Sequence, residues 1–270
     1  MKFLLISLVA LVVAGGATAA VIFGGGSSAS TPEGAAKRMT AAVAKGDAVT
    51  FMNGLPPDKL AEAKSGWEKF RSSPTTDEEK AQFAQMVTMM TGANAEQNIF
   101  DMMKPKLASA QNDLKEGVNT FDTAMTGLLH NLMQQASTAT PKEKEEAQKV
   151  VTAVISWLRS LNLINETKLK KAIGIAVATF KKANVTSLDQ LKKLSFDEML
   201  GKAGIVFLGV DEILASYGLP LRESIAGMKF SNAAITGDKA QVPYEFTMLD
   251  QTITGMAKMK KVDGKWVGDE

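Results

Sequence analysis

The apolar residues of this chain change their period once, at Pro220, and that change limits the architectures open to it. Up to about Ala215 they recur at three- and four-residue spacings, as in helices that bury one face. Beyond Pro220, Ala240, Val242, Tyr244, Phe246 and Met248 alternate with Lys239, Gln241, Pro243, Glu245 and Thr247, which describes a strand with one buried face. Pro243 has no amide to give to a ladder and predicts an edge or a bulge. Gly237-Asp238, Leu249-Asp250 and Asp263-Gly264 punctuate the segment, the last as a tight hairpin before Lys265-Trp266-Val267. The expected fold is therefore α+β. A mostly α-helical bundle with a long helical hairpin occupies residues 31–227. A small C-terminal antiparallel sheet of three or four strands occupies 228–270 and packs one face on the helices.

The helical region carries its own boundaries. Thr31-Pro32-Glu33 sets an N-cap with proline at the first helical position, and Gly46 closes that helix before Asp47 caps a short one ending near Asn53-Gly54. Pro56-Pro57 forces a break, and 58–71 places Leu60, Trp67 and Phe70 near one face. Thr76 with Glu79 forms a capping box for a helix in which Phe83, Met86, Val87 and Met90 make one stripe, ended by Gly92. After Pro105, Leu107, Gln111, Leu114, Val118, Phe121, Met125, Leu128 and Leu132 keep one narrow seam, predicting a helix of roughly 50 Å. Thr140 with Glu143 predicts a further capping box, and Val150, Val151, Val154, Leu158 and Leu161 supply the partner stripe of an antiparallel hairpin joined through 137–140. Leu169, Ile173, Val177 and Phe180 mark another helix, and Ser187 with Gln190 and Ser195 with Glu198 start two short ones. The run 203–210 is apolar on all sides and is expected to be buried.

The N-terminus addresses the chain to export. Lys2 precedes 21 residues, Phe3 to Phe23, interrupted by polar side chains only at Ser7 and Thr18 and containing Ala17-Thr18-Ala19. Charge, hydrophobicity and small residues in that order form a signal peptide. The run is also as long as the roughly 20 residues that span a bilayer. Residues 1–23 thus read as a cleaved signal or as an N-terminal anchor in the inner membrane, with 24–30 a flexible Gly/Ser linker. Both readings place the remainder in the periplasm or outside the cell.

Composition removes several function classes. There is no cysteine, so an exported domain of this size has no disulfide framework, thiol nucleophile or lipidated cysteine. Lysine plus arginine number 31 against 29 acids, so nucleic acid is not implied. Between Glu166 and Lys202, eight lysines face four acids, a local patch that suits anionic lipid or glycan or simply a solvated face. His130 is the only histidine and falls off the seam, where a surface polar residue is the simplest reading. Glu145-Glu146, Asp77-Glu78-Glu79 and Asp211-Glu212 have the chemistry for acid/base work, yet carboxylates in first helical turns commonly serve caps and dipoles. No phosphate loop, dinucleotide fingerprint or zinc motif occurs, and no cofactor is implied. Methionine is abundant, 15 in all, and Met86, Met89, Met90, Met102, Met103, Met125 and Met133 lie in the helical part. Thioethers bind Cu(I) in exported proteins, and equally fill core space or line an adaptable apolar groove. Asn165-Glu-Thr167 and Asn184-Val-Thr186 fit glycosylation acceptors, which matter only in a eukaryotic secretory route.

Two separated pieces resemble a known family. Thr31-Pro-Glu-Gly-Ala-Ala-Lys-Arg-Met39, leading to Lys45-Gly46-Asp47, is similar to the opening helix and turn of bacterial envelope domains of the nuclear transport factor two-like, cystatin-like α+β superfamily. Gly237-Asp-Lys-Ala-Gln-Val242 and Val262-Asp-Gly-Lys-Trp266 resemble their closing hairpins. The resemblance implies an N-terminal helix packed on a curved antiparallel sheet, with the space between holding an apolar ligand or a protein partner. Residues 55–227 depart from the family as a large helical insertion. The expected function is a non-enzymatic binding or scaffold module of the cell envelope, for a lipid, another apolar ligand or a protein partner. Its apolar ligand face would be Val242, Tyr244, Phe246, Met248, Met86 and Met90. The alternatives are a membrane-active secreted helical protein and a carboxylate-based hydrolase.

Overall fold

The computed structural model describes residues 30–120 and 141–269. The expected signal or anchor, the far half of the seam with Phe121, Met125, Leu128, His130, Leu132 and Met133, and the capping box at Thr140 lie outside the described residues.

Helix α1 (Pro32–Lys45) starts where Thr31 Oγ1 accepts from Gly34 N and ends at Gly46, whose φ of 67° supplies the left-handed cap. Asp47 caps α2 (Ala48–Met52), and α3 (Pro57–Ser72) opens with the second of the two prolines at its first position. Helix α4 (Asp77–Thr91) opens with the Thr76–Glu79 box. Then come α5 (Ala95–Met103), a 3-10 turn (Lys104–Lys106) at Pro105, and helix α6 over 107–120. The rest of the helical part is α7 (Pro141–Ser160), α8 (Glu166–Ala183), α9 (Leu188–Lys193), α10 (Phe196–Ser216) and α11 (Leu221–Ala226).

Three apolar clusters join these elements. In the largest, Leu114 and Val118 of α6 meet Val150, Val151, Val154 and Leu158 of α7, together with Phe246, Met248 and Ile253 of the sheet. In the second, Ala35 and Ala36 of α1 lie on Val242, Ala257, Met259 and Trp266. In the third, Ala95, Ile99 and Phe100 pack on Leu169, Ile173 and Val177, with Met90 and Met103 at its margin. Gln111, the polar member of the seam, holds the turn that follows α7. Its side-chain amide donates to Leu161 O at 3.0 Å and accepts from Leu163 N at 2.7 Å.

Among the described residues the sheet has five antiparallel strands: β1 (Lys229–Phe230), β2 (Ala234–Thr236), β3 (Lys239–Met248), β4 (Gln251–Val262) and β5 (Lys265–Gly268). It is four strands wide, because β1 and β2 share one side of β3. The expected alternation in β3 is present, with Ala240, Val242, Phe246 and Met248 buried. Pro243, however, lies in a strand paired on both sides and not at an edge. The Pro243 carbonyl accepts from Ser231 N, so its missing donor points at the gap between β1 and β2, where no ladder partner is required.

Two further expectations are corrected. Ser195 and Glu198 do form a capping box, but the helix it opens is not short: α10 runs for 21 residues and contains the whole run 203–210. Nor is that run uniformly buried. Gly204 and Gly209 are buried, while Val206 is 47% exposed. The reason is that α10 meets its neighbours through glycines. A Cβ at Gly204 would fall on the Gly46 carbonyl oxygen, and one at Gly209 would fall on the Thr179 side chain of α8. Close approach on those arcs leaves Val206 outside.

Candidate functional site

Among the described residues a groove of about 560 Å³ lies between the outer face of α7, the corner after α10 and the tip of the β3–β4 hairpin. Its first wall follows from helical geometry. With Val150, Val154 and Leu158 turned into the core, Glu145, Gln148, Thr152, Ser156 and Ser160 recur on the opposite side of α7. The second wall is Tyr217-Gly218. The Trp157 indole N–H donates to Tyr217 O at 2.9 Å, and Gly218 at φ 92° turns the chain so that Leu219 becomes fully buried. The third is Leu249-Asp250, both at positive φ in a two-residue turn between Met248 and Gln251.

Behind the groove, Glu146 ties α7 to β4. It is buried, and its carboxylate accepts from Lys149 Nζ at 2.9 Å and from Thr254 N on β4 at 3.0 Å. Burial pushes its pKa up, but the Lys149 hydrogen bond, the Thr254 amide and the lysine charge prevail, holding it below the usual carboxylate value. The Lys149 ammonium is raised in turn, first by its hydrogen bond to Glu146 and then by that to Glu145, which stands 3.2 Å away. Burial raises the Tyr217 phenol. The groove thus presents hydroxyls, amides, aromatic edges and a lysine shared by two carboxylates, with Asp250 as a further acid at the hairpin tip.

Two of the other carboxylates singled out from sequence, Asp211 and Glu79, also hold structure. Asp211 is buried and accepts from Arg222 N at 2.7 Å, capping α11, with the Arg222 guanidinium at 3.5 Å. Glu79 reciprocates the Thr76 cap, and the backbone N–H of Thr76 keeps its pKa low. Among the described residues no three histidine, cysteine or acidic side chains group as a metal site, and no helix is long and apolar enough to cross a membrane.

The residues named as an apolar ligand face are distributed over three places. Val242 is fully buried beneath α1, and Phe246 and Met248 lie in the α7 cluster. Tyr244 borders both, its ring over Gly255, where a Cβ would collide with it. Met90 packs at the margin of the third cluster, and Met86 is exposed on α4. The groove residues Trp157, Tyr217, Leu249 and Asp250 escaped sequence reasoning. Only the polar stripe of α7 was readable in advance, and polar stripes mark every solvated helix.

Comparison with protein-family models gives no match, and neither the curated proteins nor the solved structures contain one.

Proposed function

We propose that this chain is an exported, non-enzymatic module of the cell envelope that binds a polypeptide partner in the groove between α7, Tyr217 and the β3–β4 tip. The observation that carries the reading is the groove's chemistry: hydroxyls and amides line it beside Trp157 and Tyr217, while Lys149 is engaged with Glu145 and Glu146. Donors and acceptors around aromatic edges, with Glu145 and Asp250 leaving a small acidic surplus over Lys149, suit a polypeptide surface that offers amides and a basic side chain. A protein partner is favoured over an apolar ligand inside the sheet because α1 and α7 already cover the apolar face of β3. Export rests on residues 1–23, and the cleaved and anchored forms serve this function equally. The nuclear transport factor two-like resemblance is proposed on the same footing. It is supported by α1 lying across β3 and β5 through Ala35 and Ala36.

The test is native mass spectrometry of the protein extracted gently from the producing cell, beside a variant with Thr152→Arg and Ser156→Arg in the groove. A partner mass present in the wild type and absent from a folded variant is expected. An associated mass unchanged by the substitutions would overturn the assignment of the groove, and turnover dependent on Glu145 or Asp250 would overturn the non-enzymatic reading.

A further inference from the structure

A second surface lies beyond the end of the groove marked by Ser160 and Tyr217, where the 3-10 turn after α5 meets the turn between α7 and α8. Of the large apolar side chains exposed among the described residues, the three most exposed are Ile235 at 56%, Ile164 at 53% and Met102 at 50%, and the last two stand at this end. Neither position is slack. On one side of Ile164 the Leu163 amide donates to Gln111, and on the other the Asn165 side chain accepts from Lys168 N and caps α8. The backbone therefore presents the isoleucine as a fixed knob. Met102 precedes Met103, which packs at the margin of the third cluster, so its own position is set by a docked helix. An ion pair of 3.0 Å between Lys104 and Glu166 links the two segments.

The charge around these knobs is one-sided. Residues 101–106 and 161–171 hold five lysines, Lys104, Lys106, Lys168, Lys170 and Lys171, against Asp101 and Glu166. Packing positions three of them. Lys104 and Lys170 stand 5.8 and 4.5 Å from the Phe100 ring centroid, and Lys168 is 5.8 Å from that of Tyr217. Exposed aliphatic knobs on segments rich in long cationic side chains match an anionic bilayer surface: the knobs enter the boundary between headgroups and acyl chains while the ammonium groups remain with the phosphates.

We infer that this end of the molecule, centred on Ile164, Met102 and the surrounding lysines, docks on an anionic lipid surface. The inference shares one residue with the groove, the Tyr217 ring beneath Lys168, and does not depend on the groove's occupant. Each lysine at such a surface contributes roughly fivefold to the docked population. Replacing Lys106 and Lys171, both exposed, by glutamine should lower the ratio of docked to undocked protein about 25-fold.

The absence of native cysteine makes the test clean. The full-length chain is reconstituted with vesicles of phosphatidylcholine alone or mixed with phosphatidylglycerol. An environment-sensitive fluorophore is attached in turn to Ile164→Cys, Met102→Cys and, as reference on β2, Ile235→Cys. The expected result is a blue shift at the first two positions with phosphatidylglycerol only, reversed by high salt and lost in the Lys106→Gln/Lys171→Gln background, with the reference unmoved. Because the Lys106→Gln/Lys171→Gln background keeps residues 1–23, insertion of the N-terminal segment alone does not produce this pattern. No shift, an equal shift in both lipids, or a shift shared by the β2 reference would overturn the inference. A shift produced by soluble polyphosphate without vesicles would also overturn it, assigning the lysines to a soluble polyanion.

Discussion

Substituting Gly204 by alanine tests how α10 is seated. Gly204 and Gly201 are one turn apart in the same helix. At Gly201 an added Cβ meets nothing within 4 Å, so alanine there should stabilise the protein by about 0.5–1 kcal/mol through helix propensity and a less flexible unfolded chain. At Gly204 the same propensity gain is opposed by collision with the Gly46 carbonyl oxygen, with the carbonyl carbon at 3.2 Å. These are backbone atoms and cannot rotate aside. Gly46 cannot readily move either, because its φ is 67° and its Cα faces Leu208. The two backbones must separate by roughly 1 Å, which places the cost near the upper part of the overpacking range, about 3 kcal/mol. The net expectation is a loss of about 2 kcal/mol for Gly204→Ala against a gain of up to about 1 kcal/mol for Gly201→Ala. Urea titrations followed by circular dichroism should resolve the pair, and the melting temperature of Gly204→Ala should fall by about 4–8 °C. A Gly204→Ala protein as stable as Gly201→Ala would refute the backbone contact between α10 and the α1–α2 turn.

Other consequences are open to measurement. Glu146→Ala leaves Lys149 and the Thr254 amide without their shared acceptor and should cost about 2 kcal/mol in a denaturant titration. Because the folded pKa of Glu146 lies below its unfolded value, its contribution is present above the unfolded pKa near 4.3 and is lost as pH falls through the folded pKa. Stability measured downward from pH 5 should therefore fall less steeply in Glu146→Gln than in the wild type. Gly255→Ala puts a methyl into the Tyr244 ring and should destabilise by about 1–3 kcal/mol, with a change in near-ultraviolet dichroism as the tyrosine moves. Asp250→Gly, at the second left-handed position of the β3–β4 turn, should raise the urea midpoint by an amount worth up to about 1 kcal/mol.

Glu146 and Asp211 show why a buried acid need not be a catalytic one. Each is fixed by a lysine or arginine and by a backbone amide from another element: Thr254 of the sheet in one case, Arg222 of α11 in the other. The first fastens α7 to β4 beyond the short β5, where the strand has a free edge to be satisfied. Sequence shows both as members of adjacent acidic pairs, and such pairs carry no information about which carboxylate turns inward.

The amino-acid order by itself determined the local elements and their faces. Thr76 with Glu79 and Ser195 with Glu198 name helix starts because their hydrogen bonds reach only three residues. The alternation from Ala240 to Met248 names the buried face of β3 because a strand has period two. The burial of Val150, Val154 and Leu158 is likewise written in their spacing. Tertiary structure decided what distance along the chain conceals. It filled the apolar face of β3 with α1 and α7, set Pro243 at a gap inside a paired strand, and left Val206 outside while glycines brought α10 against its neighbours. It also assembled the groove from Trp157, Tyr217 and Leu249, which lie far apart along the chain. Hydrogen bonds and apolar periods within one element follow from a few neighbouring residues. A concavity depends on which elements meet and how closely, and that is fixed by packing across the whole chain.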